Sequence, residues 1–119
     1  MTTDFKVIAF VGPAGTGKSQ RTHFIARQFG ANYIIDDGLL IKDGKIVCGK
    51  SAKTEQNQVR AIRRALFEFP DHRIQVKKVL EKAAPCTILV VATSTDMALK
   101  ICKRLSLPEP ERYIYIEEV

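Results

Sequence analysis

The chain predicts an α/β fold: a three-layer α/β/α arrangement around a mostly parallel sheet, with a small β-hairpin insertion. Three observations predict it. Apolar runs of strand length alternate with stretches of helical period along the whole chain. The runs at 5–11 and 87–92 are apolar almost throughout, as strands covered on both faces are. Asp43-Gly44, set between Leu39-Leu40-Ile41 and Lys45-Ile46-Val47, marks a tight hairpin.

The first run, Phe5-Lys6-Val7-Ile8-Ala9-Phe10-Val11, reads as a buried strand. A helix is expected over about 17–29, with Phe24, Ile25 and Phe29 as its apolar stripe and Gly30 at its left-handed cap. Tyr33-Ile34-Ile35 reads as a short strand that stops at Asp36-Asp37. After the hairpin, residues 54–67 predict a helix whose apolar face is Val59, Ile62 and Leu66. Pro70 breaks it, and Asp71 is placed to cap the next helix, where Val76, Val79, Leu80 and Ala83 recur at helical spacing. Pro85 ends that helix before the strand at 87–92. Thr93 and Asp96 fit a capping box ahead of a last helix marked by Met97, Ile101 and Leu105. Pro108 and Pro110 lie in a connector, and residues 113–116 read as a closing strand.

Gly12-Pro13-Ala14-Gly15-Thr16-Gly17-Lys18-Ser19 carries the strongest chemical signal, because it satisfies G-x-x-x-x-G-K-[ST] between a strand and a helix. Its glycines let successive amides turn inward as an anion nest, and the helix that follows adds its positive end. The expected contacts with a nucleotide run from Gly12 to Gln20. Lys18 reaches for the β- and γ-phosphates and the Ser19 hydroxyl for Mg²⁺. The expected ligands are therefore ATP, or another nucleoside triphosphate, and Mg²⁺.

A carboxylate at a strand end completes such a site. The strand ending at Ala92 runs into Thr93-Ser94-Thr95 and offers none. Asp36, on a Mg²⁺-bound water, and Asp37, orienting a nucleophile or substrate hydroxyl, are the candidates. Catalytic roles are thus expected of Lys18, Asp36 and Asp37, and metal binding of Ser19 and Asp36. Thr93 or Ser94 can meet a γ-phosphate or attacking water, since ligands sit at the carboxyl ends of parallel strands.

Residues 44–51, Gly44-Lys45-Ile46-Val47-Cys48-Gly49-Lys50-Ser51, match the same pattern letter for letter. Ile46 and Val47 favour extended backbone, so this segment is read as no cradle. Lys50 and Lys53 are loop lysines.

Length and composition set the frame. A chain of 119 residues suits one nucleotide-binding domain with a modest core. Its end, Glu117-Glu118-Val119, follows a strand with no terminal helix, which predicts the N-terminal part of a longer protein. The longest apolar stretch is too short to cross a bilayer, and the N-terminus lacks a secretory pattern. Cys48, Cys86 and Cys102 form no C-x-x-C pair, so reduced thiols in the cytoplasm are expected. The net charge is +6, and residues 42–82, with eleven Lys or Arg against five Asp or Glu, supply that excess alone. Arg60, Arg63 and Arg64, then Arg73, Lys77 and Lys78, recur at helical spacing as a basic surface. One arginine, Arg112 among the candidates, is sought over the phosphates. His23 and His72 read as exposed or helix-cap residues.

On the residues 12–19 and the acidic strand end one helix later, the chain resembles the P-loop NTPase superfamily. Its element order is most similar to the small-molecule kinases of that group, and its overall run is similar to bacterial proteins described only as ATP-binding. In shikimate- and gluconate-type kinases a D-x-D-like pair serves metal water and substrate; here Asp36 and Asp37 are adjacent. An N-K-x-D element for guanine is absent, which favours adenine. The resemblance implies ATP hydrolysis or γ-phosphoryl transfer to an unknown second substrate. The alternative is a nucleotide-dependent binding or regulatory module whose occupancy orders residues 38–53 and controls a protein partner. Nucleic-acid binding has only charge behind it, without interleaved aromatics.

Overall fold

The computed structural model describes residues 4–13 and 18–118; the side chains of residues 18–20 and 118 lie outside the description. Strand β1 (Phe5–Val11) precedes α1 (Lys18–Gln28), β2 (Tyr33–Asp36) and a hairpin of β3 (Leu39–Lys42) and β4 (Lys45–Gly49). Then come α2 (Gln58–Ala65), α3 (Pro70–Ala83), β5 (Cys86–Ala92), α4 (Thr95–Arg104) and β6 (Arg112–Tyr115). All six strands form one sheet in the order β4-β3-β2-β5-β1-β6. β1 is parallel to β5 and to β6, and β2 is parallel to β5. The hairpin is antiparallel and extends this same sheet at its edge through β3 on β2. The α/β class and the mostly parallel sheet are those the sequence predicts. Among the described residues, no helix is long and apolar enough to cross a membrane.

The near-continuous apolar strands divide their side chains between two cores by the period-two rule. Val7, Ala9 and Val11 of β1 join Ile88, Val90 and Ala92 of β5 with Val76 and Leu80 of α3 and Ala98 and Ile101 of α4. The alternate residues Ile8, Phe10, Leu89 and Val91 pack with Ile25 and Ala26 of α1. The hairpin turns through Asp43 and Gly44, both at positive φ (53° and 77°), as the Asp-Gly signal requires.

Four local expectations are corrected. In α1 the buried face is Thr22, Ile25 and Ala26, whereas Phe24 is 64% exposed. Residues 22, 25 and 26 lie at i, i+3 and i+4, and Phe24 falls about 100° away from Ile25. In α2, Val59 and Ile62 are exposed (68% and 53%) and Arg64 is buried. Helix α2 is also shorter than expected, capped at Asn57, whose side chain accepts from the Arg60 amide at 2.8 Å. Asp71 does not cap α3: Pro70 takes the first position, Phe69 precedes it, and Asp71 sits in the first turn. Finally, Ser94 rather than Thr93 caps α4, accepting from the Met97 amide at 3.1 Å.

Candidate functional site

The chain leaves β1 and β5, which are neighbours, in opposite directions. From β1 it passes through α1 on one face to β2; from β5 it passes through α4 on the other face to β6. Such a switch point opens a crevice at the carboxyl ends of the two strands. The amide of Gly12 donates to the Ala92 carbonyl at 3.1 Å, closing the floor of that crevice. Gly12 and Pro13 therefore stand at the crevice, and the α1 backbone begins at Lys18. Ala14, Gly15, Thr16 and Gly17 lie outside the described residues, as do the side chains of Lys18, Ser19 and Gln20.

Asp36 is the last residue of β2, half-buried, and pairs with Leu39 across the turn. Asp37 has left the strand. It sits at φ 56° in a turn with Gly38 at 86°, so strand alternation does not decide where it points. Short polar Asp tolerates that left-handed region better than most residues. The Ser51 hydroxyl donates to Asp37 Oδ2 at 2.5 Å. The Ala52 amide donates to the Asp37 carbonyl at 3.0 Å, and the Lys50 amide to the Gly38 carbonyl at 3.2 Å. A strap over residues 50–52 is thereby bound along the turn. Its fit is close enough to require glycine, since a β-carbon on Gly38 would collide with the Lys50 carbonyl oxygen.

His72 anchors the turn from α3. It is buried, not exposed or a cap as the sequence suggested, and its Nε2 lies 2.7 Å from the Gly38 carbonyl oxygen. Its ring stacks on Phe67 with centroids 4.7 Å apart. Burial pushes its pKa below the usual 6.5, with Arg64 and Lys50 adding to the shift and the Gly38 bond and Glu55 opposing it. The signal was present in the sequence, because His72, Val76 and Leu80 follow one another at four-residue spacing on the buried stripe.

A cleft of about 470 Å³ opens beside the strap at this end of the sheet. Asp37, Ala52, Thr93 and Ser94 line it, and Ile62, Leu66 and Met97 supply an apolar wall. Asp37 and the β5 terminus thus share one cleft. Thr93 offers its amide and hydroxyl to the Met97 sulfur at 3.4 and 3.3 Å. Lys100 pairs with Asp96 at 3.1 Å. A second cleft of about 480 Å³ on the α1 face is lined by His23, Arg27, Ile34 and Ile41 and, among the described residues, holds none of the expected site residues.

The basic residues of α2 turn out to be heavily engaged. Glu55, whose side chain is only 5% exposed, accepts from Arg64 at 2.7 Å and Arg60 at 3.1 Å, with Lys50 at 3.8 Å. The Arg64 hydrogen bond, helped by Arg60 and Lys50, holds the Glu55 carboxyl below its usual 4.5. Arg63 pairs with Glu68 at 3.3 Å. All three guanidinium groups also gather on the Phe69 ring, 4.1 to 4.9 Å from its centroid. Arg112 lies over Phe29 at 5.2 Å. Nothing in the sequence announced Glu55 as the hub.

The second motif match forms β4 over Lys45–Gly49, the extended backbone its branched residues favour. Cys102 is buried with its thiol pushed up to about 12, and all three cysteines are free. Among the described residues, no three His, Cys, Asp or Glu gather as metal ligands. No family model matches the chain, and no curated protein or solved structure matches it either.

Proposed function

We propose that this is a three-layer α/β/α, P-loop NTPase-like domain that binds ATP, or another nucleoside triphosphate, with Mg²⁺ through Gly12–Ser19 and transfers the γ-phosphoryl group to water or a hydroxyl. One observation carries the reading: Gly12 and Pro13, which open the Gly12–Ser19 pattern, follow β1 at the crevice where β1 and β5 send the chain to opposite faces. Gly12 and Pro13 stand at that crevice and the α1 backbone begins at Lys18, and a glycine-rich sequence joining a strand to a helix start suits a polyphosphate.

In this reading the amides after Val11 and the Lys18 ammonium hold the β- and γ-phosphates. Mg²⁺ carried on a triphosphate asks for one or two carboxylates, not a protein cage, and a half-buried Asp36 at the end of β2 suits that demand. When bound, the ion supplies charge neutralisation of the phosphate oxygens. Asp37 faces the cleft with a hydroxyl already in its grasp, which suits a group that orients a nucleophile. Phosphate release from ATP, compared between the wild type and Lys18→Ala, tests the proposal. Turnover well above that variant supports it, and equal rates contradict transfer.

A regulatory module is the second reading, favoured by the engagement of Arg60, Arg63 and Arg64 with Glu55, Glu68 and Phe69. Without an arginine on the γ-phosphate, turnover would be slow, because such a group adds about 10³–10⁵ in rate. Tight ATP binding without phosphate release would mark this reading.

A further inference from the structure

Helix α2 turns its apolar stripe away from the core, and a carboxylate without a counter-ion lines the cleft which that stripe faces. We propose that this cleft, between α2 and α4, binds a small organic cation. The ligand has one protonated amine, held by Asp37, and an apolar body that lies against Ile62, Leu66 and Met97. The site consists of described residues alone and needs no nucleotide, so it goes beyond the phosphoryl-transfer reading.

The rotation of α2 is set by a charge pair. Arg64 turns inward to the buried Glu55 carboxylate at 2.7 Å, which leaves Ile62 and Leu66, four residues apart on one stripe, on the cleft side. Ile62 stays 53% exposed there. Apolar side chains gathered on a concave surface mark a binding site, whereas single scattered ones need no explanation.

The cleft also has the size and lining of a small-molecule site. It encloses about 470 Å³, and the short side chains of Ala61 and Ala65 leave room beside Met97. A mostly apolar wall with a few polar groups is the usual make-up of such sites.

The charges around the cleft cancel, with one exception. Lys100 pairs with Asp96 at 3.1 Å. The positive end of α4 is answered by the Ser94 cap on the Met97 amide and by Asp96 in the first turn. Lys50, in the strap, pairs with Glu55 at 3.8 Å. Asp37 is half-buried, and among the described residues its carboxylate meets only a neutral hydroxyl. That hydroxyl is the Ser51 group, whose oxygen caps the short helix Ala52–Thr54. One bond to Oδ2 leaves most of the acceptor capacity of the carboxylate unused. An ammonium group brings three donors and the missing charge, and the pair gains strength from partial removal from water. An anionic ligand would instead meet the Asp37 charge.

The test is titration of the full chain, without nucleotide, with matched probes that share an indole body, followed by amide-correlation NMR at neutral pH. The probes are tryptamine, its neutral alcohol analogue tryptophol, and the anion indole-3-propionate. Tryptamine is expected to saturate, to move the amides of Ala61, Ala65 and Thr93 most, and to bind about tenfold tighter than tryptophol, with the anion weakest. Asp37→Asn should lower tryptamine affinity to the level of tryptophol and leave tryptophol unchanged, a split that a general loss of structure does not produce. Ile62→Gln, at an exposed position, should weaken both by about threefold or more. Equal affinity for the probes, preference for the anion, shifts centred on another surface, or no saturation overturns the proposal. No nucleotide is present, so each of these outcomes leaves the nucleotide reading to its own test.

Discussion

His72 Nε2 lies 2.7 Å from the Gly38 carbonyl oxygen, so a residue thirty-four positions along the chain holds the turn that presents Asp37. A carbonyl only accepts, so in the shorter contact Nε2 carries the proton, and the Lys50 amide, 3.3 Å from Nε2, then has the Gly38 oxygen as its acceptor. The Lys50 amide donates to the same oxygen at 3.2 Å. That tautomer leaves Nδ1 as a lone pair, and Nδ1 is buried without a partner. A second proton on the ring would sit there unsatisfied, beside the positive charges of Arg64 and Lys50.

The pH dependence follows with a definite sign. The folded chain holds the His72 proton less well than the unfolded chain, whose histidine titrates near 6.5. As pH falls below that value the unfolded state takes up the extra proton, and stability declines. Urea midpoints should be level above about pH 7.5 and fall progressively toward pH 5.5. His72→Phe, which keeps a ring against Phe67, should flatten this slope. It should also cost about 1 kcal/mol for the lost bond to Gly38. A slope unchanged in the variant would remove His72 as its origin.

Two glycines at positive φ should respond unequally to alanine. Gly30, at 68°, has open space where a β-carbon would stand, so only backbone strain opposes the change. Gly30→Ala should cost about 1–2 kcal/mol. Gly38, at 86°, adds a collision with the Lys50 carbonyl and close approach to His72 Cε1. Gly38→Ala should cost more than about 3 kcal/mol, or leave the chain unfolded, since the strap cannot move without losing its own bonds. Equal costs by chemical denaturation would contradict the close fit of strap and turn.

Phe69 gathers three arginines on its ring. Phe69→Leu preserves apolar bulk and removes the π face, so it should destabilise by about 1–2 kcal/mol. The thermal midpoint reads this directly. A neutral result would show that Glu55 and Glu68 alone organise α2.

The two aspartates should separate by function. Asp36→Asn should weaken binding of ATP chiefly when Mg²⁺ is present. Asp37→Asn should retain binding and lower phosphoryl transfer by about 10² or more. Titration calorimetry with and without Mg²⁺, together with the transfer rate, distinguishes them. Identical phenotypes would contradict the division of labour.

Most of the sheet was readable because strand length, apolar density and the Asp43-Gly44 turn are local properties of the sequence. The helix faces were less so. Phe24, Val59 and Ile62 look like core residues by type, yet they face outward, while Arg64 turns inward because Glu55 neutralises it. That pairing is tertiary and leaves no trace in the periodicity of α2. The acidic pair at the end of β2 was legible, but the Ser51 bond to Asp37 spans fourteen residues and depends on how the hairpin returns. The G-x-x-x-x-G-K-[ST] match at 12–19 is legible as a pattern of letters, and Ala14–Gly17 lie outside the described residues.

The central claim is that the segment between β1 and α1 binds a nucleoside triphosphate. Isothermal titration of the folded chain with ATP and Mg²⁺ tests it most directly. The account predicts saturable heat at one site, abolished in Lys18→Ala with the thermal midpoint unchanged. No heat with either ATP or GTP would contradict it.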